Sequence, residues 1–419
     1  MSLSLTSEER AFLDGAHGEA AAMAMRIVVA AGELMNAASL VKITSAHIDG
    51  CLYHGDGGVA FAEALVAGEG RVLVPTTLNV GALDLLHPEK IRGDAHHAEM
   101  ARRQMKAYVT LGCAPTWTCA PYQAGHRPAV GEQVAWGESN AIAFVNSVLG
   151  ARTERYGDFL DACCALTGRA PLHGLHLTEA RRATVVIDAT DVPHALKSRD
   201  VFYPVLGTWL GLEVGRDVAA IVGLPADVSE DQLKALGAAA ASTGAVALFH
   251  VVGVTPEAAT LDLATGGQAS SRQVRLTGPM LRPALDRLST VDTTSIDAVA
   301  VGSPHFSLQE FEALTRLISG KRSAVPFFVC TSRNVLVELE ASGDATILAD
   351  AGVEIVVDTC VVVTPILPAS EGVLMTNSGK FSHYGPSNTG YEVVYGSLED
   401  CVASAVTGQV QRDEEVWQW

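Results

Sequence analysis

Three apolar runs that alternate with helical segments in the last third of the chain constrain its fold more than any other feature. The runs are Ile296–Val301, Val325–Val329 and Val353–Val357. A helix is predicted after the first run, starting at Ser307 and Glu310 as a capping box, and a second helix over Arg333–Ala341. Strands that are apolar throughout and alternate with helices predict a parallel sheet with crossover helices on both faces.

The earlier part of the chain shows the same alternation. Helices are predicted at Gly18–Met35, Val59–Val66, His97–Val109, Asn140–Leu149 and Ser229–Ala241. Strands are predicted at Leu40–Ser45, Arg71–Pro75, Thr184–Ile187 and Ala245–Val252. The sequence therefore predicts an α/β, multi-lobed protein with possible lobes at residues 1–175, 176–290 and 291–419. Candidate boundaries are Arg181–Arg182 and the polar segment Thr260–Arg272.

Charge and composition exclude several classes of protein. The 419 residues carry 47 acidic and 29 basic side chains, a net charge of −18, so nucleic acid is not expected as a partner. Neither a secretory signal nor a membrane span is predicted, because polar residues and a proline interrupt the apolar stretch Val353–Leu367. We therefore expect a cytoplasmic protein whose eight cysteines stay reduced.

Two cysteines follow neighbouring strands of the predicted parallel sheet. Cys330 comes after the second apolar run and Cys360 after the third. The carboxyl ends of parallel strands meet at one edge of a sheet, so both thiols are expected there. A packed core cysteine is the alternative for each, and the polar neighbours of the two thiols leave the alternatives evenly balanced.

A third thiol belongs to the segment Thr116–Tyr122, which prolines bracket and which is therefore predicted to be a loop. It contains Cys119, and Cys113 is a competing candidate. Three thiolates without a fourth suit an iron–sulfur cluster with an open iron better than a closed zinc site. An open iron is a Lewis acid for a leaving hydroxyl. The remaining cysteines in helical patterns are expected to be packing residues: Cys163, Cys164 and Cys401.

Further polar segments are placed at predicted strand ends or at a helix start. They are Ser45–Tyr53, Pro75–Asn79, Gly137–Asn140 and Thr376–Lys380. Singly, each has a structural explanation as a glycine loop, an Asx turn, a helix cap or an exposed lysine. The joint occurrence of the first three favours a site in which a helix amino terminus binds a carboxylate. Lys380 is a separate candidate to bind an anion or, if desolvated, to act as a base, with an exposed lysine in a turn as the alternative.

The polar segments together resemble the aconitase X family. The resemblance is carried by His47–Gly50, Pro75–Asn79, Thr118–Tyr122, Glu138–Asn140 with Asn146-Ser147 and Arg152-Thr153, Cys330–Arg333, Asp358–Cys360 and Ser378–Lys380. It implies an aconitase-like fold. It also implies an iron–sulfur cluster, 2Fe-2S or 4Fe-4S, held by Cys119, Cys330 and Cys360. The implied substrate contacts are Gly50, Cys51, Leu52, Asn79, Val80, Glu138, Ser139 and Lys380. Among these, the resemblance favours catalytic roles for Lys380, Glu138 and Ser139.

The resemblance also implies an activity and a partner. Bacterial members resemble cis-3-hydroxy-L-proline dehydratases, which form 1-pyrroline-2-carboxylate, and archaeal members resemble mevalonate 5-phosphate dehydratases. Many members contain a smaller swivelling domain, which is not evident in this sequence. We therefore expect a separate small subunit and a heteromeric lyase acting on a small hydroxy acid. A non-catalytic metal-binding or scaffold subunit is the alternative from another class.

Overall fold

The computed structural model describes residues Leu3–Gln418, which form two compact units. The amino-terminal unit comprises residues 3–83 and Asp94–Arg182. The carboxy-terminal unit comprises Asp84–Gly93 and residues 183–418. None of the helices within this described range has both the length and the apolar character that a membrane crossing requires.

The amino-terminal unit combines six α-helices with a small parallel sheet. Its helices are α1 (Ser7–Leu13), α2 (Glu19–Leu34), α3 (Asp56–Ala67), α4 (Ala95–Thr110), α5 (Ser139–Ser147) and α6 (Leu160–Thr167). Its strands are β1 (Leu40–Lys42), β2 (Ser45–Ile48), β3 (Thr76–Leu78), β4 (Val134–Trp136) and β5 (Arg169–Pro171). Strands β3, β2 and β4 pair in parallel in that order, and β1 pairs with β5 in antiparallel. Helix α2 buries Ala20, Ala24, Met25 and Val28, which recur at helical spacing on one face.

Two strand predictions in this unit need correction. The predicted strand Leu40–Ser45 is divided between β1 and β2, which belong to different sheets. The predicted strand Arg71–Pro75 is wrong, because the strand begins only at Thr76. The Val72 N–H donates to Leu111 O at 2.9 Å, and the Leu73 N–H donates to Ala165 O at 2.8 Å. These backbone groups pair with residues near the ends of helices α4 and α6, so they have no strand partner.

The carboxy-terminal unit is larger and contains two parallel sheets. Its helices are α7 (His194–Lys197), α8 (Phe202–Val214), α9 (Glu230–Thr243), α10 (Leu261–Thr265), α11 (Gly278–Arg287), α12 (Leu308–Ile318), α13 (Arg333–Ser342), α14 (Asp344–Asp350), α15 (Gly379–Thr389) and α16 (Leu398–Thr407). Its strands are β6 (Val185–Asp188), β7 (Ala219–Val222), β8 (Phe249–Val251), β9 (Arg272–Arg275), β10 (Ala298–Phe306), β11 (Phe327–Thr331), β12 (Val353–Val357), β13 (Gly372–Thr376) and β14 (Tyr391–Tyr395). Short 3-10 turns occur at Pro88–Lys90, Pro121–Ala124, Gly174–His176, Thr178–Arg181 and Glu414–Trp417.

The five-stranded sheet of this unit has the strand order β12-β11-β10-β13-β14, with all neighbours parallel. The chain steps outward from β10 to β11 and β12, and then returns to the other side of β10 at β13. The order therefore reverses between β10 and β13, which is the place where open parallel sheets bind ligands. The second sheet has the order β8-β7-β6-β9.

The alternation predicted for the last third of the chain is confirmed. The third apolar run, Val353–Val357, coincides with β12, and every residue of β10 is buried. The capping box also forms: the Glu310 N–H donates to Ser307 Oγ at 3.2 Å, and the Ser307 N–H donates to the Glu310 carboxylate at 2.8 Å. The segment Thr260–Arg272 contains α10 and lies within the carboxy-terminal unit.

Candidate functional site

Three of the predicted site segments follow the three parallel strands of the amino-terminal unit. Gly50–Leu52 comes after β2, Asn79–Val80 after β3, and Glu138–Ser139 after β4. Ile48 pairs with Leu78, and His47 pairs with Trp136, so the strands end at the same edge of the sheet. The parallel register explains why segments far apart in the chain lie at one place.

Direct hydrogen bonds join the first two segments. The Asn79 N–H donates to Ile48 O at 2.9 Å, and the Asn79 side-chain amide donates to Asp49 Oδ1. The Cys51 thiol donates to Asn79 O at 3.3 Å. Burial raises the pKa of Cys51 well above its ordinary value, so this side chain is a neutral thiol that links the two loops.

The third segment approaches the first one closely at a glycine. The Gly137 N–H donates to His47 O at 2.7 Å. A Cβ atom at Gly137 would lie 2.6 Å from Asp161 Oδ2 and 2.8 Å from Asp49 Cβ. Only glycine allows this approach without a shift of the two aspartates.

Two buried side chains from helices shape the Gly50–Leu52 loop. Gln104 of α4 donates from Nε2 to Gly50 O at 2.7 Å and to Leu52 O at 3.3 Å. Asp161 of α6 accepts from the Asp49 N–H at 2.7 Å through Oδ2. The loop is therefore fixed from both sides by residues that lie far from it in the sequence.

Carboxyl groups are concentrated beside this loop. Burial and the negative charges of Glu138, Asp158 and Asp161 raise the pKa of Asp49 to about 8. Burial raises the pKa of Asp161 to about 7, although backbone donors, including the N–H groups of Asp49 and Gly50, oppose the shift. Glu138 is the N-cap of α5, and its carboxylate accepts the Ala141 N–H at 2.9 Å.

The Cys119 loop lies beside the same strand ends. The Thr118 N–H donates to Leu78 O at 3.2 Å, and the Asn140 amide donates to Cys119 O at 2.8 Å. Cys119 is buried, with 4% of its surface exposed. Burial and the charge of Asp161 raise the pKa of Cys113 to about 12, which disfavours a thiolate at that competing position.

Two buried histidines share one threonine hydroxyl in the same unit. His47 Nδ1 lies 2.9 Å from Thr77 Oγ1, and His126 Nδ1 lies 2.7 Å from the same oxygen. Burial lowers the pKa of His126 to about 4 and that of His47 well below its usual range, so both rings are neutral. A single hydroxyl donates only one hydrogen, so at least one of the two rings must carry its proton on Nδ1.

In the carboxy-terminal unit, Lys380 lies at the point where the strand order reverses. The end of β10 contributes Ser303 and His305, and the residues after β13 contribute Ser378 and Lys380. Ser378 donates to Ser303 O and accepts the Phe381 N–H at 2.9 Å as the N-cap of α15. The cap fixes the first turn of α15 and therefore the position of Lys380.

A small cavity of about 30 Å³ lies beside Lys380, lined also by Ser303, Lys234 and Glu310. Lys234 is 3% exposed and pairs with Glu310 Oε2 at 2.5 Å. Burial raises the pKa of Glu310 to about 7, although the Lys234 ammonium opposes the shift. The cavity therefore has a polar, charged wall that is held in place by a buried ion pair.

The two other predicted ligands lie at neighbouring strand ends of this sheet. Cys330 pairs with Val356 in the β11–β12 register, and Cys360 follows β12. Both cysteines belong to one cluster of buried residues, with 2% and 6% of their surfaces exposed. The expectation that both cysteines reach the same edge of one sheet is confirmed.

Three side chains fix the loops that carry these cysteines. Arg333 forms two hydrogen bonds to the Asp358 carboxylate, at 2.6 and 2.5 Å. His305 donates from Nε2 to Thr359 O at 3.1 Å. The loop geometry is thus set by polar contacts within the carboxy-terminal unit.

The donor set suits an iron–sulfur cluster. Cysteine thiolates are the usual ligands of such clusters, and hydrogen bonds to their sulfur atoms tune them. The Val361 N–H points at Cys330 Sγ from 3.4 Å, which stabilises a thiolate there. Between Leu3 and Gln418, no group of three or more His, Cys, Asp or Glu side chains forms a ready metal site. Cys119 belongs to the amino-terminal unit and the other two cysteines to the carboxy-terminal unit.

Comparisons with known proteins agree along nearly the whole chain. The models of the aconitase X first, second and third domains match residues 2–179, 183–286 and 296–407. The chain belongs to the aconitase X family. The cis-3-hydroxy-L-proline dehydratase of Pseudomonas aeruginosa is 43% identical over 99% of this chain and 72% of that protein. The phosphomevalonate dehydratase large subunit of Methanothermobacter thermautotrophicus is 38% identical over 93% of this chain and 95% of that protein.

A solved aconitase X structure has the same fold. The holo-form of Thermococcus kodakaraensis aconitase X superimposes with a TM-score of 0.85 and 32% identity. The match covers 96% of this chain and all of that chain. The predicted family and the predicted α/β fold class are therefore both confirmed.

The aconitase X resemblance identified most segments at these strand ends but not the residues that fix them. The structure brings together Gly50–Leu52, Asn79–Val80 and Glu138–Ser139. In another sheet, Cys330 lies on β11 and Lys380 follows β13, with β10 between these two strands. Sequence reasoning did not single out Asp49, Asp161 or Gln104. Asp49 had a local signal, since it directly precedes Gly50 at a strand end, whereas the other two lie in ordinary helical patterns.

Proposed function

We propose that the chain is the large, iron–sulfur-binding subunit of a hydro-lyase that dehydrates cis-3-hydroxy-L-proline to 1-pyrroline-2-carboxylate. The observation that carries the proposal is the 43% identity to a cis-3-hydroxy-L-proline dehydratase over 99% of the chain. The polar segments at the strand ends of both units support it, because they include groups suited to bind an acid and to move protons.

In this proposal, Cys119, Cys330 and Cys360 hold the cluster, of 2Fe-2S or 4Fe-4S type. When bound, the cluster supplies an open iron that acts as a Lewis acid toward the leaving hydroxyl. The burial of all three thiols supports this assignment, since a cluster site must exclude competing ligands. The Val361 N–H at Cys330 adds the stabilisation that a thiolate needs.

The loops at Gly50–Leu52 and Asn79–Val80 enclose the substrate, and the start of α5 binds its carboxylate. Ser139 lies at the amino terminus of this helix, where the helix dipole favours an anion. Glu138 orients this helix start, because its carboxylate accepts the Ala141 N–H. Lys380 is our candidate for the base that takes the proton beside the carboxylate.

A small swivel-domain subunit completes the enzyme, which we place in the cytoplasm. The name of the Methanothermobacter relative, a large subunit matched over 95% of its length, supports such a partner. The same relative supports mevalonate 5-phosphate dehydration as the second candidate activity. The higher identity to the hydroxyproline enzyme favours the first.

The test is co-expression with a small subunit, anaerobic cluster reconstitution and assay with both substrates. We expect turnover of cis-3-hydroxy-L-proline. Replacing Cys119, Cys330 or Cys360 singly with Ser should abolish the visible iron absorption and the activity. Cys401→Ala is the matched control, because Cys401 is a buried packing residue of α16.

Three results would contradict the proposal. Iron absorption and activity that survive all three single substitutions would exclude these residues as ligands. A reconstituted complex that turns over only mevalonate 5-phosphate would exclude the first substrate and leave the second. A colourless complex that folds and binds its partner would favour the scaffold alternative.

A further inference from the structure

Asp49 is the most accessible of the buried carboxyl groups at the end of the three-stranded sheet. Asp161 has no exposed surface and Glu138 only 7%, whereas Asp49 is half-buried. Asp49 directly precedes the Gly50–Leu52 loop, and its carboxylate accepts the side-chain amide of Asn79, so it lies between two of the proposed substrate segments. Asp158 is exposed and contributes negative charge from outside.

Asp49 and Asp161 have different hydrogen-bond partners and therefore different roles. Asp161 accepts backbone N–H groups of Asp49 and Ala162 at 2.7 Å and of Gly50 at 3.5 Å, which stabilise its carboxylate. Asp49 receives only the side-chain amide of Asn79. Asp161 is thus the more readily ionised of the two carboxyl groups, and Asp49 is the group that more readily keeps its proton.

Buried polar atoms beside Asp49 point to a polar ligand. Asn79 is 2% exposed, donates one amide hydrogen to Asp49, and leaves its Oδ1 atom without a partner. The Tyr108 hydroxyl is fully buried, lacks a partner, and lies 3.2 Å from where a Cβ of Gly50 would be. Reversing the Asn79 amide would still leave one of its atoms unpaired. A ligand hydroxyl or ordered water at this place would satisfy such atoms.

We propose that the Asp49 carboxyl group is the general acid that protonates the hydroxyl group as it leaves the substrate. This inference rests on the dehydratase function proposed above. Asp49 is placed for this role by its position between the Gly50 loop and Asn79. Glu138 is less suited, because its carboxylate is committed to the start of α5.

The elimination balances with Asp49 as the acid. A base, Lys380 in our proposal, takes the proton from C2, and the C–H electron pair becomes the C2–C3 double bond. The C3–O bond breaks with its electron pair on oxygen, and that oxygen takes the proton of Asp49 to leave as water. Asp49 then carries a negative charge and regains a proton from solvent, while the base returns its proton to solvent.

The charged and titratable groups around Asp49 predict the pH range in which its carboxyl group stays protonated. Glu138 faces it from the start of α5, Asp158 and Asp161 from the region of α6, and Cys51 from its own loop. Burial is the largest cause of the shift, and the negative charges of Glu138, Asp158 and Asp161 act in the same direction, so the pKa of Asp49 is about 8. A general acid works while protonated, so the turnover rate should fall as the pH rises through this value.

Asp49→Asn is the decisive variant, because it keeps the shape and removes the transferable proton. We expect kcat for cis-3-hydroxy-L-proline to fall about 10²–10⁴-fold with little change in KM, and the alkaline limb of the pH profile to disappear. cis-3-Fluoro-L-proline provides the matched substrate, because fluoride leaves without a proton. The variant should turn over this compound at a rate close to that of the wild-type complex.

Asp158→Asn is the matched control. It removes an exposed neighbouring charge, so the alkaline limb should move to lower pH while the plateau kcat stays unchanged. Equal loss of turnover on the hydroxy and fluoro substrates in Asp49→Asn would overturn the acid role and indicate a positioning role. Wild-type turnover rates in Asp49→Asn would overturn it as well and leave the dehydratase function intact. A wild-type complex that dehydrates neither hydroxy acid would overturn both.

Discussion

The ion pair between Arg333 and Asp358 joins the two cysteine-bearing loops of the carboxy-terminal unit, and its removal should loosen both loops. Arg333 follows Cys330 by three residues, and Asp358 precedes Cys360 by two. The guanidinium Nε and Nη2 donate to the two carboxylate oxygens at 2.6 and 2.5 Å. We therefore expect Arg333→Met to destabilise the cysteine-bearing loops more than the rest of the unit.

The size of the effect follows from burial. Removing one partner of a buried ion pair typically costs about 3–5 kcal/mol. Asp358 is completely buried, but the Arg333 side chain is 36% exposed, so solvent screens part of the interaction. We expect about 2–3 kcal/mol for Arg333→Met. The Leu85 N–H, 3.1 Å from Asp358 Oδ2, remains as a donor to the carboxylate and limits the loss of stability in Arg333→Met.

Hydrogen–deuterium exchange of peptides from β11 and from residues 353–366 measures the free energy of local opening. The second single variant is Asp358→Asn, because Asp358 has φ +64° and asparagine tolerates this region. We expect it to cost about 1–2 kcal/mol, since one acceptor for Leu85 is kept. The double variant should cost less than the sum of the two by about 1–2 kcal/mol.

Two results would refute this reasoning. Additive costs of Arg333→Met and Asp358→Asn would mean that the two side chains do not stabilise each other. Exchange that accelerates equally across the four-stranded sheet would mean that the pair acts on the global stability and not on the cysteine-bearing loops. Because the chain has two units, local opening is a better measure here than a single unfolding midpoint.

Three further predictions concern packing and charge. Gly137→Ala would place a methyl group 2.6 Å from Asp161 Oδ2, so it should destabilise the protein by about 1–3 kcal/mol. Gly57→Ala is the control, because its methyl group would meet open space. Equal thermal midpoints for the two variants would contradict the close packing at Gly137. Lys234→Met removes the buried ammonium group that pairs with the half-buried Glu310 carboxylate and should cost about 3–5 kcal/mol. Adding Glu310→Gln should restore part of this loss, and an unchanged urea midpoint in the single variant would refute the prediction. Burial raises the pKa of Asp161 to about 7, so the folded state binds the proton more tightly, and stability should fall from about pH 4 to about pH 7. Asp161→Asn should flatten this slope in urea titrations.

The strands with long apolar runs could be predicted from the sequence. Val353–Val357 was placed to the residue, because a strand buried on both faces gives a continuous signal. The short strands of the amino-terminal unit were harder to place. In Arg71–Pro75, residues of high β propensity have backbone groups that pair with α4 and α6, and no local pattern records those distant partners.

The candidate site likewise contains some residues that could be predicted from the sequence and others that could not. Asn79 directly follows β3, and Lys380 lies in the first turn of the helix that follows β13. Both positions could be predicted, because ligands bind at the carboxyl ends of parallel strands. Gln104 and Asp161 were not predictable, because Gln104 comes from the interior of α4 and Asp161 from the first turn of α6, where an acidic residue is ordinary. Their importance comes from hydrogen bonds to a loop more than 50 residues away.

The segment Asp84–Gly93 shows why the units could not be delimited from composition. It leaves the amino-terminal unit a few residues after Val80 and packs in the carboxy-terminal unit. There the Val357 N–H donates to Asp84 Oδ2 at 3.3 Å, and Lys90 donates to Ile355 O at 2.6 Å. The loop that carries Asn79 is therefore connected, through a short covalent segment, to the strand that precedes Cys360. Because these partners lie more than 260 residues away in the sequence, the composition of the segment does not indicate to which unit it belongs.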